Sequence, residues 1–193
     1  MSEEAIDGGN LPPVVAPLTT QQIAAFWRDF SDRLPALEAL DGYAFVEQAS
    51  ELLRSHAPGL VMELEGKLKE ADTRLVLTAN GSVAHFENLQ ALARHAPPYP
   101  PYTVQAFRSR ISGGSFNVSM GDFALPSDDL LVALYDAGGV AGLTLSFAKT
   151  PPPKMMDRAR HIAFILLDHV LGEWDFAVRV GPVDFADATP QLE

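Results

Sequence analysis

Apolar residues recur along the first sixty positions with the spacing of helices. Ile23, Phe26, Trp27, Phe30 and Leu34 fall on one helical face, and Thr19 or Thr20 is placed to cap its start. Phe45, Val46, Ala49, Leu52 and Leu53 form a second stripe that opens near Asp41 and stops before Pro58-Gly59. From Leu60 the period shortens to two. Leu60, Met62 and Leu64 alternate with Val61, Glu63 and Glu65, which predicts a strand with one wet face. Polar residues from Lys67 to Asp72 turn the chain into a second strand, Arg74 to Thr78, antiparallel to the first. Asn80-Gly81 breaks that strand. Ser82 is placed to cap a helix whose buried side is Phe86, Leu89, Leu92 and Ala93. The run from Ala96 to Pro101 ends this helix, because proline lacks the N–H a helix needs.

Tyr102 to Arg110 reads as a third strand. Ile111 to Asp122 is a loop rich in Gly and Ser, with a short strand at Phe116 to Val118. Leu130 to Tyr135 is apolar on both faces, the pattern of a central strand. A turn at Asp136 to Gly139 leads to Val140–Phe147, which places Leu143, Leu145 and Phe147 inward and completes a hairpin. Thr150 and three prolines open a long helix lined by Met155, Ala159, Ile162, Ala163, Leu166 and Val170, with Gly172 as its stop. Trp174, Phe176, Val178 and Val180 alternate with Asp175, Ala177 and Arg179 as a last strand, broken at Pro182, with a short piece at Val183 to Phe185. This order predicts an α+β fold: a mainly antiparallel sheet with one β-α-β crossover, helices packed on one side, and two N-terminal helices. Residues 1–18 lack periodicity and read as a flexible arm, with Leu11 to Leu18 laid extended on the body. Residues 19–193 read as a single domain, helical over 19–57 and with its sheet core over 58–187.

Composition narrows the function. The chain has 193 residues, 47% of them hydrophobic, enough for a sizeable core. It carries 14 Lys+Arg against 25 Asp+Glu, a net charge of −11. That argues against binding to nucleic acid or to anionic membrane, both of which need a basic face. No apolar run approaches the roughly 20 residues that cross a bilayer, and no signal-peptide pattern opens the chain, so a cytoplasmic location is expected. The absence of Cys removes disulfides, thiolate zinc sites and cysteine nucleophiles.

Candidate chemistry is sparse. His56 and His95 sit at helix C-terminal ends, where the helix dipole favours an imidazolium. His161 and His169 lie two turns apart on similar faces of one helix, without the three- or four-residue spacing of metal ligands. Asp168 and His169 are sequence neighbours and diverge. No G-x-S-x-G elbow, P-loop or dinucleotide fingerprint is present, so no catalytic residue, metal or cofactor is assigned. The carboxylate pairs Glu63/Glu65, Asp128/Asp129 and Glu173/Asp175 suit a solvated surface. One constellation stands out. The crossover from Arg74 to Arg110 brings two strand ends and a helix N-terminus to one sheet edge, where Asn80, Ser82 and His85 would face Arg108 and Arg110. That edge is the candidate site for a small anionic ligand. The Phe26/Trp27/Phe30 stripe is core by default and otherwise the candidate interface of a homodimer.

Two stretches, Leu75 to Arg110 and Phe164 to Phe185, resemble an uncharacterised bacterial family of small α+β proteins. In that family a strand ends in a Ser-Ala-Asp-Gly-like turn, a helix and Ala-Pro follow, and a strand carries Ala-Phe-Arg. Near the end comes a Leu-Leu-Leu-Asp…Leu-Gly-Glu-Tyr-Asp-like segment. The resemblance spans roughly residues 58–187; Asn80 stands where an aspartate is common, Tyr102 for a tryptophan and Trp174 for a tyrosine. It implies the fold class and no activity. The expected function is a non-enzymatic binding or protein-interaction module, homodimeric. The alternatives are an enzyme or receptor for a small anion at the Asn80/Arg108/Arg110 edge, and an immunity- or antitoxin-like protein whose acidity suits a basic protein partner.

Overall fold

The computed structural model describes residues 15–186. The chain folds into the α+β class with helices α1 (Thr20–Leu37) and α2 (Gly42–His56) at its start. Thr19 caps α1 through a capping box with Gln22, and the Asp41 side chain accepts from Ala44 N at the start of α2. Strands β1 (Val61–Glu65), β2 (Arg74–Thr78) and β3 (Thr103–Ala106) form one sheet in that order. β1 and β2 are antiparallel; β2 and β3 are parallel, joined through helix α3 (Phe86–Arg94). The predicted β-α-β crossover is therefore present.

The second half repeats this plan. Strands β4 (Asn117–Met120) and β5 (Phe123–Pro126) form a separate hairpin. β6 (Leu130–Asp136) and β7 (Ala141–Phe147) form an antiparallel pair, and β8 (Val180–Phe185) joins β7 in parallel after helices α4 (Met156–Leu171) and α5 (Glu173–Arg179). Both three-stranded sheets thus place a hairpin first, a helical crossover next, and the last strand beside the second one. Each half has its own buried cluster. The first gathers α1, α2, α3 and β1 to β3 around residues such as Phe26, Phe45, Met62 and Leu89; the second gathers β5, β7 and α4 around Leu145, Ile162 and Leu166. Among the described residues no helix is long and apolar enough to cross a membrane.

Several expectations are corrected. The strands form three small sheets, and there are two parallel crossovers instead of one. Residues 174–179 form helix α5, not a strand. Their alternation was real, but Gly172 at φ 82 lets the chain restart a helix at once, and Asp175–Arg179 closes an ion pair one helical turn apart at 3.2 Å. β3 stops at Ala106 because Phe107 takes a left-handed backbone, φ 67, that bends the chain out of the sheet. β6 is an edge strand rather than a central one: among the described residues it pairs only with β7, and Leu134 is 74% exposed. β5, which sequence reading did not assign, packs Leu125 on α4.

The aromatic stripe of α1 is core, not interface. Phe26, Trp27 and Phe30 are buried; the Trp27 and Phe30 rings pack with Tyr99, which follows α3, and Phe26 packs on both. Trp27 Nε1 donates to Leu92 O at 3.0 Å, and Tyr99 OH donates to Trp27 O. The arm is docked where it is described: Leu18 N donates to Asn88 Oδ1 at 2.7 Å and Asn88 Nδ2 donates to Ala16 O. Residues 1–14 of the expected arm lie outside the described residues.

Candidate functional site

The two halves meet around Arg108, and the local backbone explains how. After β2 the chain turns through Asn80 and Gly81, both at positive φ. Asn and Gly tolerate this conformation with little steric cost. A 3-10 turn, Val83–His85, then precedes α3. On the neighbouring strand, the left-handed Phe107 sends its ring against Phe86 and Trp174, with centroids 4.7 and 5.1 Å away. The following Arg108 turns towards α4.

Gly172 closes the junction. A Cβ there would lie 3.0 Å from Arg110 N and 3.2 Å from Arg108 O, so the close approach of α4's end to this segment requires glycine as much as the positive φ does. The next residue, Glu173, is fully buried. Its Oε1 accepts from Ala79 N at 2.9 Å and Gly81 N at 3.0 Å, its Oε2 accepts from Arg108 N at 3.3 Å, and its own N–H donates to Arg108 O. A buried carboxylate is stable only with such donors, so this single side chain ties α5 to the ends of β2 and β3.

Arg108 then sits among three carboxylates. Its Nη1 donates to Glu63 Oε1 on β1 at 2.8 Å and to Asn80 Oδ1 at 3.2 Å. Its Nε lies 2.9 Å from Asp168 Oδ2 on α4, an ion pair by distance whose N–H is out of line for a hydrogen bond. Burial works against the charged guanidinium, but the fields of Glu63, Asp168 and Glu173 outweigh it and hold the proton more firmly than usual.

Beside this cluster runs an open cleft of about 650 Å³, walled by Glu63, Asn80, Gly81 and Arg108 on one side and by His161, Phe164, Ile165, Asp168, His169 and Phe176 on the other. His161 and His169 thus share one face, as their eight-residue spacing predicts. Among the described residues no group of three or more His, Asp or Glu is placed to hold a metal ion.

Of the five residues expected at an anion edge, the structure brings two together, Asn80 and Arg108. The pair of guanidinium forks is not formed. Arg110 is exposed and makes no ion pair among the described residues, because the bend at Phe107 ends the strand on which the two arginines were to share a face. Ser82 is exposed and makes no capping hydrogen bond. The His85 ring lies over Gly59, where a Cβ would fall 2.3 Å from it, and its buried Nδ1 has no hydrogen-bond partner among the described residues. The sequence alone marks Glu63 and Glu173 as solvated acids and Asp168 only as a neighbour of His169. The signal that could have found Glu173 is its place directly after a helix-stopping glycine.

No family model, no curated protein and no solved structure matches the chain.

Proposed function

We propose that the chain is a non-enzymatic interaction module whose contact surface is β6. The supporting observation is the difference between two equivalent strands. In the first sheet α2 seals the outer edge of β1: Ser50 Oγ donates to Met62 O at 2.9 Å and accepts from Met62 N at 3.0 Å, standing in for a neighbouring strand. In the second sheet β6 holds the same place in the topology and has no such cover among the described residues. No side chain hydrogen-bonds the backbone of residues 130–135 among the described residues. Val132 and Leu134, which share the face of Leu145 and Leu143, are 46% and 74% exposed. An apolar surface of this kind on a folded protein marks a place of contact.

The experiment is a photo-crosslinker, benzoylphenylalanine, placed at position 134 in cells and, as control, at exposed Phe164 in the cleft. The reading expects a discrete protein adduct from position 134 that disappears when Val132→Lys is added. No adduct from position 134, or adducts from position 164 alone, would refute it.

A second reading is favoured by the cleft beside Arg108: a receptor for a small molecule. Arg108 is already matched by carboxylates, and both Glu63 and Asp168 line the opening, so the ligand would be neutral or cationic rather than anionic. A thermal-shift screen with amines and with carboxylates tests this; stabilisation by carboxylates alone would contradict it.

A further inference from the structure

Resting on the reading of β6 as the contact strand, we infer that its occupant is a second copy of this chain, paired antiparallel along β6 about a two-fold axis at Ala133. Among the described residues, the central part of the strand lacks the usual devices by which sheet edges are kept from self-pairing. From Leu130 to Tyr135 there is no charge, no proline and no glycine, and the ladder to β7 runs without a bulge. The contrast with β1 is internal to the molecule: the same topological edge, where it is not left open, is blocked by Ser50.

The sequence of the strand is also self-complementary. Ala133 is its middle residue. A two-fold axis there sets Val132 opposite Leu134 of the other copy, and Leu134 opposite its Val132. Directly opposed residues share a face, so both pairs lie on the side where Leu143 and Leu145 already pack under α4. The exposed ends of two cores become one continuous apolar face.

The charges agree. A chain of net charge −11 repels its copy, and the seam adds little to that repulsion because Leu130 to Tyr135 carries no charge. The strand's single acid, Asp136, falls opposite Leu130 of the other copy, beside that copy's Asp129–Lys149 ion pair. The two Asp136 residues stand six positions apart along the seam, about 20 Å.

The chain contains no cysteine, so one introduced thiol reports the register without interference. In the purified full chain, sedimentation equilibrium should give twice the 20.9 kDa mass at micromolar concentrations. Leu134→Lys should give a monomer that keeps the native circular-dichroism spectrum, since the side chain is exposed in the single chain. Under mild oxidation Ala133→Cys should form a disulfide-linked dimer at least tenfold faster than Leu131→Cys. Opposed Cα atoms lie about 5 Å apart, within disulfide reach, whereas the two copies of position 131 are separated by four positions and are not. A monomer at all concentrations, a dimer indifferent to Leu134→Lys, or equal crosslinking at positions 131 and 133 would overturn the inference. The position-134 photo-crosslink keeps its failure distinct: an adduct to a different, basic protein would overturn the second copy and leave β6 as the contact strand, while no adduct would remove both.

Discussion

Glu173 Oε1 lies 2.9 Å from the backbone nitrogen of Ala79, a residue 94 positions earlier, and this contact belongs to the seam between the two halves of the molecule. The same carboxylate serves three N–H groups at once. Replacing it with alanine leaves those donors without partners in a buried place, and each buried orphan costs about 1–3 kcal/mol. Glu173→Ala should therefore destabilise the chain by about 3–5 kcal/mol. Glu173→Gln keeps one acceptor oxygen and should cost clearly less. Urea denaturation of the two variants checks the order; equal losses would show that the hydrogen bonds are not what the residue supplies.

How legible this was differs between the halves. The first two helices and β1 could be read because each turns one face inward with a clean period, as in Phe45–Ala49–Leu52 and Met62–Leu64, and β2 because its short apolar run lies between polar turns. The crossover through α3 followed from turn chemistry at Asn80-Gly81. The failures share a cause: they depend on partners distant in sequence. Residues 174–179 alternate like a strand, yet they form a helix whose first residue, Glu173, finds its donors on β2's end and at Arg108. Leu130–Tyr135 is apolar enough for a sheet centre, and only the pairing of β7 with β8 places it at the edge. Phe107 is an unremarkable residue for a strand, and its left-handed backbone separates Arg108 from Arg110. The site was half legible because Asn80 and Arg108 sit on elements whose order was read correctly, while Glu63 and Asp168 carry no local mark that distinguishes them from solvated acids.

Trp27 is 2% exposed, and its indole N–H is bonded to Leu92 O. Trp27→Ala should cost about 3–5 kcal/mol, as aromatic truncations in cores do. The loss should appear in thermal or urea unfolding, without a change of oligomeric mass in the fraction that stays folded. A stable variant with a lowered mass would return this stripe to an interface role.

Tyr102 is buried, its hydroxyl donating to Glu38 Oε1 at 2.7 Å and accepting from Lys69 N at 3.0 Å. Burial, then the Glu38 carboxylate, push its ionisation up to about 12 from an ordinary 10. A folded-state value above the unfolded one means that stability is fully present below pH 10 and is lost as pH rises towards 12. Stability should fall over that interval more steeply in the wild type than in Tyr102→Phe, which has no proton to release. Parallel curves from pH 9.5 to pH 12, a window of about that width, would show that the tyrosinate is accommodated without cost.

Arg108 distinguishes a structural cation from an anion receptor. Its Nη1 is held by Glu63 and Asn80, its Nε lies against Asp168, and Glu173 lies close behind. An incoming sulfate or phosphate would have to displace carboxylates fixed by the fold, with no help from the exposed Arg110. Sulfate should therefore raise the melting temperature no more than sodium chloride at matched ionic strength, which stabilises an acidic chain only by screening. Arg108→Met should instead show what the guanidinium does. Removing one member of a buried ion cluster typically costs about 3–5 kcal/mol, because the remaining charges are left uncompensated. In the variant, Glu63, Asp168 and Glu173 are left without the guanidinium they surround. Urea denaturation should show that deficit in full, and Arg110→Met, at an exposed position without an ion pair among the described residues, should show almost none. Sulfate stabilisation above the chloride control that vanishes in Arg108→Met would restore the anion site; equal losses in Arg108→Met and Arg110→Met would show that the ion cluster adds nothing to stability.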